Sequence, residues 1–363
     1  TTGFSIIKNV ENIDQPLLLW RSSSQWLGGL FFLITIIGTL SSKQIKIKPL
    51  YLISDSSYGG NFYNTFSNNF FKILLLYSLS TIFIIFLFTL SKVRLLDSFH
   101  LAFTVISSGG FLPKSNFTSV IKDNLQIFIL SITFLIPIFN FYLWLKIFTK
   151  KIKIKDQQED IQLFLLIIIS TLLFYFLINP GESILNTFLS VTSSLSTSGI
   201  GNYSGNVDIS LFFIILSIIG GSLLSTSSGL KYLRIYILLK ISSQEIYRLV
   251  KPINIFNRNL FNSDSQFDDQ DIKMAFFVFI SFVISAFILS CILTLNTLSF
   301  ENSFKLSILT LTNTTTSTLY GIDNIIFFDL KNFTKIVLIS FMILGKIEII
   351  SFLYLIKKFI FKE

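Results

Sequence analysis

Histidine and cysteine are almost absent: His100 and Cys291 stand alone among 363 residues. A single cysteine excludes a disulfide framework and a cysteine-built zinc cluster. A single histidine excludes a His-rich metal site and makes histidine-based catalysis improbable. Charge is scarce too. Asp, Glu, Lys and Arg make up 13% of the chain, against about 25% in soluble domains, which excludes an ordinary globular fold. In their place stand 52% hydrophobic residues, 42 of the total being Phe. The net charge of +9 does not indicate a nucleic-acid partner. In so apolar a chain it reads as the cytoplasmic Lys and Arg of a membrane protein. The start, Thr1-Thr2-Gly3-Phe4, has no initiator Met and no basic region with a cleavage site, so the chain is expected to be a fragment.

A bilayer-spanning helix needs about 20 mostly apolar residues. Stretches of this kind lie at 24–42, 73–90, 124–145, 161–181, 209–230, 274–300 and 336–356, the last carrying Lys346 and Glu348. Shorter, semi-polar segments at 97–107, 182–196 and 301–313 begin with Asp97, Glu182 and Glu301. They are too short to cross and predict re-entrant helices, with an acid at the end the helix dipole favours. Basic residues gather in alternate connections: Lys43, Lys46 and Lys48; Lys150, Lys151, Lys153 and Lys155; Arg248, Lys251 and Arg258; Lys357, Lys358 and Lys362. The positive-inside rule makes these connections cytoplasmic and the re-entrant segments external. The polar stretch 241–272 reads as a partly helical cytoplasmic loop.

The unit of span, short helix, turn and span recurs at about 71–148, 161–240 and 274–360, with a partial copy opening the chain. Such self-similarity is a fold-level signal. It divides the chain into four pore units: 1–45 (partial), 71–155, 160–245 and 270–363. The fold class expected is an all-α membrane protein with a pseudo-fourfold repeat of helix–pore-loop–helix units, the first incomplete. The turns read Thr1-Thr2-Gly3, Ser108-Gly109-Gly110 and Thr197-Ser198-Gly199. Phe99 precedes Gly110 by 11 residues and Phe188 precedes Gly199 by 11; the same step from Phe304 reaches Thr315, within Asn313-Thr314-Thr315-Thr316-Ser317, where no Gly occurs. Small hydroxyl residues and Gly suit a pore that replaces the water of a cation with backbone carbonyls. The competing explanation is ordinary interhelical turns. Three turns in register favour the pore, with Thr1, Thr2, Gly3, Ser108, Gly109, Gly110, Thr197, Ser198, Gly199, Thr315 and Thr316 as candidate cation ligands.

Inside the fifth span, Gly220-Gly221-Ser222-Leu223-Leu224-Ser225-Thr226-Ser227-Ser228-Gly229-Leu230-Lys231 is a poor helix. A break is expected here, forming a flexible gate in which Gly220, Gly221, Ser225, Thr226, Gly229 and Lys231 take part. Small-residue helix packing is the alternative. Lys346 is an intramembrane charge and hence a candidate functional residue. It would be a movable positive barrier in the pore, unless it snorkels to the interface. Glu348, two residues on, faces elsewhere and would pair with another helix or with the gate loop. His100 reads as a packing or hydrogen-bonding residue and Cys291 as a small apolar one. An intramembrane enzyme would need a nucleophile with a base, paired carboxylates or a metal motif; no such set stands inside the spans, and no enzymatic activity is expected.

These residues resemble the Trk/Ktr/HKT potassium transporter family, and its Trk-type membrane subunit most. Trp20-Arg21-Ser22-Ser23-Ser24-Gln25-Trp26-Leu27-Gly28-Gly29 is similar to the segment following the family's first filter, and Asp97 through Phe111 to its second pore helix and filter. Gly220 to Arg234 resembles its intramembrane gating loop, with Ser228 at a usual Gly. Arg248-Leu249-Val250-Lys251-Pro252 and Leu344-Gly345-Lys346-Ile347-Glu348-Ile349 resemble its cytoplasmic loop and last helix, with Lys346 where Arg is usual. The resemblance implies an N-terminally truncated first unit. It also implies potassium as the transported ion, no organic cofactor, a multi-pass protein of the inner membrane, and a homodimer with a cytosolic nucleotide-binding regulatory subunit. A sodium- or proton-coupled transporter of cations or small solutes is the alternative.

Overall fold

The structure is a computed structural model. It describes residues 1, 3–7, 10–40, 62–141, 143–144, 157–178, 183–201, 209–250, 259, 267–296, 298–322, 325 and 327–347. Thr2, Glu182, Glu348 and the basic clusters at 43–48, 150–155 and 357–362 lie outside these.

Among the described residues the main helices are α1 (Gln15–Leu40), α2 (Phe62–Leu90), α3 (Leu95–Ile106), α4 (Asn124–Thr133), α5 (Gln158–Leu173), α6 (Ile184–Leu195), α7 (Ser210–Ile219), α8 (Tyr232–Val250), α9 (Asp269–Leu295), α10 (Phe300–Leu311) and α11 (Asn332–Ile347), and no strand occurs among them. Among the described residues, Phe70–Leu90 in α2, Gln158–Phe176 (α5 and its continuation) and Asp269–Leu295 (α9) are long and apolar enough to cross a membrane. The three expected re-entrant helices are α3, α6 and α10, each of 12 residues. At 1.5 Å per residue they reach about 18 Å, well short of a hydrocarbon core about 30 Å thick. Two of them start on the same device. Ser183 Oγ accepts the Asn186 N–H, and Ser299 Oγ accepts the Asn302 N–H. Each side chain satisfies one of the orphan donors of a helix N-terminus.

The boundaries differ from the sequence expectation in several places. The stretch 124–145 is not one helix: α4 ends at Thr133, one more turn runs Leu135–Ile138, and Phe139 is extended. Pro137 is the cause, because it lacks an N–H and its ring crowds the carbonyl four residues back. The helix expected at 161–181 begins at Gln158 and passes into a π-turn at Phe174–Ile178. The stretch 241–272, expected to be partly helical, is helical as far as Val250, in agreement. The last helix starts at Asn332 rather than 336. The break expected within 209–230 is present: α7 closes on Gly220, whose φ is +65°.

Two hydrophobic cores hold the helices. Leu33, Tyr77, Ile84, Leu101 and Leu130 belong to one, drawn largely from the first half of the chain. Leu163, Phe213, Leu289, Leu309 and Tyr320 belong to the other, from the second half. Large apolar side chains also cover the outside, among them Phe71, Ile82, Phe83, Phe86 and Phe287, all more than half exposed. The interior where α3, α6 and α10 end is by contrast hydroxylic: Thr104, Ser193, Ser194, Thr310 and Thr312 are fully buried. A soluble protein reverses that arrangement. Outward apolar and inward polar surfaces fit a lipid-embedded bundle around a polar path.

Gly345 sets the position of α11. A Cβ there would clash with the Leu311 carbonyl oxygen and stand 2.7 Å from its carbon, so only glycine lets α11 lie on the end of α10. Gly345→Leu is expected to force the two helices apart at a cost of about 1–3 kcal/mol, read as a lower melting temperature of the detergent-purified protein; an unchanged melting temperature would show that this contact does not hold α11.

Candidate functional site

The chain makes one turn three times. After α3, α6 and α10, the residues Ser108, Thr197 and Asn313 take φ of +56°, +60° and +53°. In each case that residue's N–H bonds the carbonyl three back and the next residue's N–H the carbonyl five back: Ser108 to Val105 and Gly109 to Thr104, Thr197 to Ser194 and Ser198 to Ser193, Asn313 to Thr310 and Thr314 to Leu309. This double closure is the Schellman motif, where glycine usually takes the left-handed position. A β-branched Thr197 there costs about 1–2 kcal/mol. All three residues are held by their side chains: Ser108 Oγ lies 3.2 Å from Thr226 Oγ1, Thr197 Oγ1 accepts the Ser228 N–H at 2.9 Å, and Asn313 Nδ2 donates to the Met342 carbonyl at 3.0 Å.

Two residues further on stand Gly110, Gly199 and Thr315, the positions reached by the 11-residue step. The three turns and the segment at Gly3 meet there. A Cβ on Gly110 would clash with the Ser198 carbonyl oxygen and with Thr315 Cγ2; one on Gly199 would clash with Thr315 Oγ1 and stand 2.6 Å from the Thr315 carbonyl oxygen. A Cβ on Gly3 would likewise clash with Thr315 Cγ2 and stand 2.7 Å from its Cα. Gly110 and Gly199 also have φ of +81° and +70°. Thr315 fills the space the three glycines leave, and its hydroxyl donates to the Ser198 carbonyl. Thr1 stands beside α1, its nitrogen 3.1 Å from where a Cβ of Gly28 would be, and Thr316 is half-buried next to Thr315. Among the described residues no group of three or more His, Cys, Asp or Glu side chains converges, so the oxygens at this meeting point belong to peptides and hydroxyls.

The peptide of Gly109 is held by a side chain. Its carbonyl accepts Gln25 Nε2 at 2.9 Å, while Gln25 Oε1 accepts the Thr104 hydroxyl at 2.8 Å. Sequence reasoning missed Gln25 as a brace of the Gly109 peptide. The available signal was an amide inside an otherwise apolar and hydroxylic span.

The segment from Gly220 to Lys231 is an irregular loop in the interior, with Ser222, Ser225, Thr226 and Ser227 fully buried. Glycine is required at its two ends. Gly220 has φ +65° and faces the Ser228 carbonyl, and Gly229 has φ +85° with a Cβ position 2.7 Å from the Ser217 carbonyl oxygen. Gly221 rests against the Ile138 carbonyl, and its N–H donates to Ser227 Oγ at 2.9 Å. The loop folds around Lys231, whose Nζ donates to the Ser225 carbonyl at 3.2 Å, to Ser225 Oγ at 3.1 Å and to the Ser227 carbonyl. It also touches the turns, because Thr226 Oγ1 donates to the Ile106 carbonyl at 2.9 Å in addition to its contact with Ser108.

Lys346 does not snorkel. Its Nζ donates to the Thr226 carbonyl at 2.9 Å and Ser228 Oγ at 3.0 Å, and lies 4.4 Å from the centre of the Phe32 ring. A loop contact was expected of Glu348, which lies outside the described residues; Lys346 itself makes one. His100 is a hydrogen-bonding residue, its Nδ1 2.8 Å from Ser22 Oγ. Cys291 is exposed on α9. The acids Glu159 and Asp160, at the start of α5, drew no attention in the sequence because acids ahead of an apolar run read as dipole companions. Both bond backbone N–H groups of distant segments.

Comparison with known proteins gives a consistent result. The TrkH family, described as cation transport proteins, matches residues 176–360. An uncharacterised cation transporter of Methanocaldococcus jannaschii is 27% identical over 312 residues, covering 80% of this chain and 60% of its own length. The Trk system potassium uptake protein TrkG of Escherichia coli is 27% identical over 277 residues, covering 72% of this chain and 56% of its own. The chain therefore spans little more than half the length of these curated relatives. The crystal structure of the potassium transporter TrkH from Vibrio parahaemolyticus superposes with a TM-score of 0.80 at 21% identity, over 97% of this chain and 75% of that one. The likeness is one of fold.

The bonds from Lys346 generate a test. In a Cys291→Ser background, Ser225→Cys is expected to resist a water-soluble maleimide. Adding Lys346→Met, which removes two charge-assisted bonds of about 1.5–3 kcal/mol each, is expected to raise labelling at least about tenfold. Equal labelling with and without Lys346 would show that this side chain does not hold the loop.

Proposed function

Because this chain belongs to the TrkH family of cation transport proteins, we propose that it serves potassium uptake across the inner membrane, through a filter built from four pore units and gated by the loop of Gly220 to Lys231. The units are 1–45, 71–155, 160–245 and 270–363, and the transported ion is potassium. The observation that carries the reading is the meeting of Gly3, Gly110 and Gly199 at Thr315. A cation that leaves water needs oxygens in place of its hydration shell, and this is where separate turns bring carbonyls and hydroxyls within contact of one another.

In this reading the ligands come from Thr1, Thr2, Gly3, Ser108, Gly109, Gly110, Thr197, Ser198, Gly199, Thr315 and Thr316. Glycine keeps the lining at backbone width, while Gln25 braces the Gly109 peptide from behind. The ion then meets the loop, which is bonded to two of the turns through Thr226 and Ser228. Two lysine ammonium groups, Lys231 at the end of that loop and Lys346 reaching it from α11, repel a cation until the loop moves. A homodimer and a cytosolic nucleotide-binding regulatory subunit, meeting the basic connections, complete the proposal; they rest on the family resemblance.

Thr315 favours a second reading for the ion. Its side chain stands where a glycine would leave room, and its hydroxyl already occupies the Ser198 carbonyl. A narrower ring of oxygens favours sodium over potassium.

Uptake by a bacterium lacking its own potassium systems, carrying the full-length gene, tests both readings. Gly110→Ser and Gly199→Ser are each expected to lower potassium-dependent growth and rubidium uptake at least about tenfold, equivalent to about 1.4 kcal/mol, at unchanged membrane abundance. Undiminished uptake in both would end the filter reading. A parent protein that carries sodium in preference to rubidium, with the preference reversed by Thr315→Gly, would establish the second reading in place of potassium.

A further inference from the structure

Glu159 and Asp160 open α5, and their carboxylates are not used on that helix. Glu159 is 5% exposed, and its Oε1 accepts the N–H of Leu223 in the gate loop at 3.0 Å. Asp160 accepts the Asn140 N–H, at 3.2 and 3.4 Å from its two oxygens. The two targets are joined to each other. The Ser222 N–H donates to the Ile138 carbonyl at 2.9 Å, the Phe141 N–H to the Leu224 carbonyl at 3.1 Å, and the Ser227 N–H to the Pro137 carbonyl at 3.4 Å. The proline break after α4 and the near limb of the gate loop thus form one patch of non-helical backbone, with two of its donors held by side chains of α5.

A buried carboxylate is costly unless charge and hydrogen bonds compensate it. The fields of Lys231, at the end of the loop, and of Arg234, at the start of α8, favour the charged form of Glu159, against its burial and the like charge of Asp160 beside it. The loop therefore carries both the N–H that Glu159 holds and a charge that offsets it. The far limb is fastened separately, by Lys346 at Thr226 and Ser228 and by Thr197 at Ser228. A backbone donor held by a side chain can be released by a change of rotamer, which no helix ladder permits.

We propose that Glu159 is the latch of the gate loop, a positioning residue that holds the Leu223 limb in the arrangement that closes the path and releases it when the carboxyl group turns away. This rests on the reading of the loop as a gate. It adds a residue from outside the loop, on a different limb from Lys346.

The test is rubidium flux into liposomes bearing the purified full-length protein, with gel filtration to confirm folding. Four proteins are compared: the parent, Glu159→Gln, a variant lacking residues 223–227, and the combination. Glu159→Gln keeps the shape and replaces the carboxyl group that holds Leu223 with an amide, and is expected to raise flux at least about fivefold. The loop-shortened variant is expected to raise flux as well, and adding Glu159→Gln to it to change nothing further, since a latch without its loop has nothing to hold. A purely structural Glu159 would change flux equally with and without the loop, and that outcome overturns the proposal. Parental flux in Glu159→Gln beside a raised flux in the loop-shortened protein removes the latch and leaves the gate. No rise on shortening the loop removes the gate and the latch with it. If Glu159→Gln does not elute as folded protein, Glu159→Asp, one methylene short of Leu223, replaces it with the same expected and overturning results.

Discussion

Backbone that leaves a helix inside a hydrocarbon slab must find every hydrogen-bond partner within the protein. That requirement governs the interior of this molecule. Between Gly220 and Lys231 a whole loop is non-helical and buried. Its partners are hydroxyls within it, carbonyls of the interrupted helix beside it, one carboxylate and two ammonium groups. The three Schellman turns solve the same problem on a smaller scale, each returning two N–H groups to its own pore helix. The high content of Ser and Thr at these places follows from the need. A hydroxyl donates or accepts as required and adds little bulk.

The charges and the loop depend on each other. An ammonium group buried alone costs several kcal/mol, and Lys231 offsets this by drawing two loop carbonyls and a hydroxyl onto itself. Those carbonyls would otherwise be orphaned by the break in the helix. Lys346 performs the same exchange from α11, where Gly345 brings the helix close enough to reach. Ser228, at a position where the resemblance leads one to expect glycine, supplies a hydroxyl to Lys346 and an N–H to Thr197. The smaller cation head of lysine, against arginine, is matched by an added hydroxyl on the loop.

Legibility differed between fold and site. The short helices were visible because 12 residues cannot cross a bilayer, and the break at Gly220 because consecutive Gly, Ser and Thr weaken a helix whatever surrounds it. The 11-residue step from Phe304 located Thr315 without a glycine to mark it, because the distance from pore helix to turn is a local property. Pro137 was as plain in the sequence as Gly220, yet the apolar run around it concealed the break. Gln25 and Glu159 were not legible as site residues. Each acts on a backbone group far along the chain, 84 and 64 positions away, and no local pattern encodes such a pairing.

The sequence alone therefore determined a helical membrane protein, its repeated unit, the turns and the broken helix, since hydropathy, helix length and backbone propensity are summed over neighbours in the chain. Tertiary structure decided which groups meet: Thr315 in the space left by three glycines, Lys346 on the loop rather than at the interface, and a carboxylate from α5 on Leu223. Those contacts depend on close approach of segments from separate repeats, which is fixed by packing rather than by any property of the residues one by one.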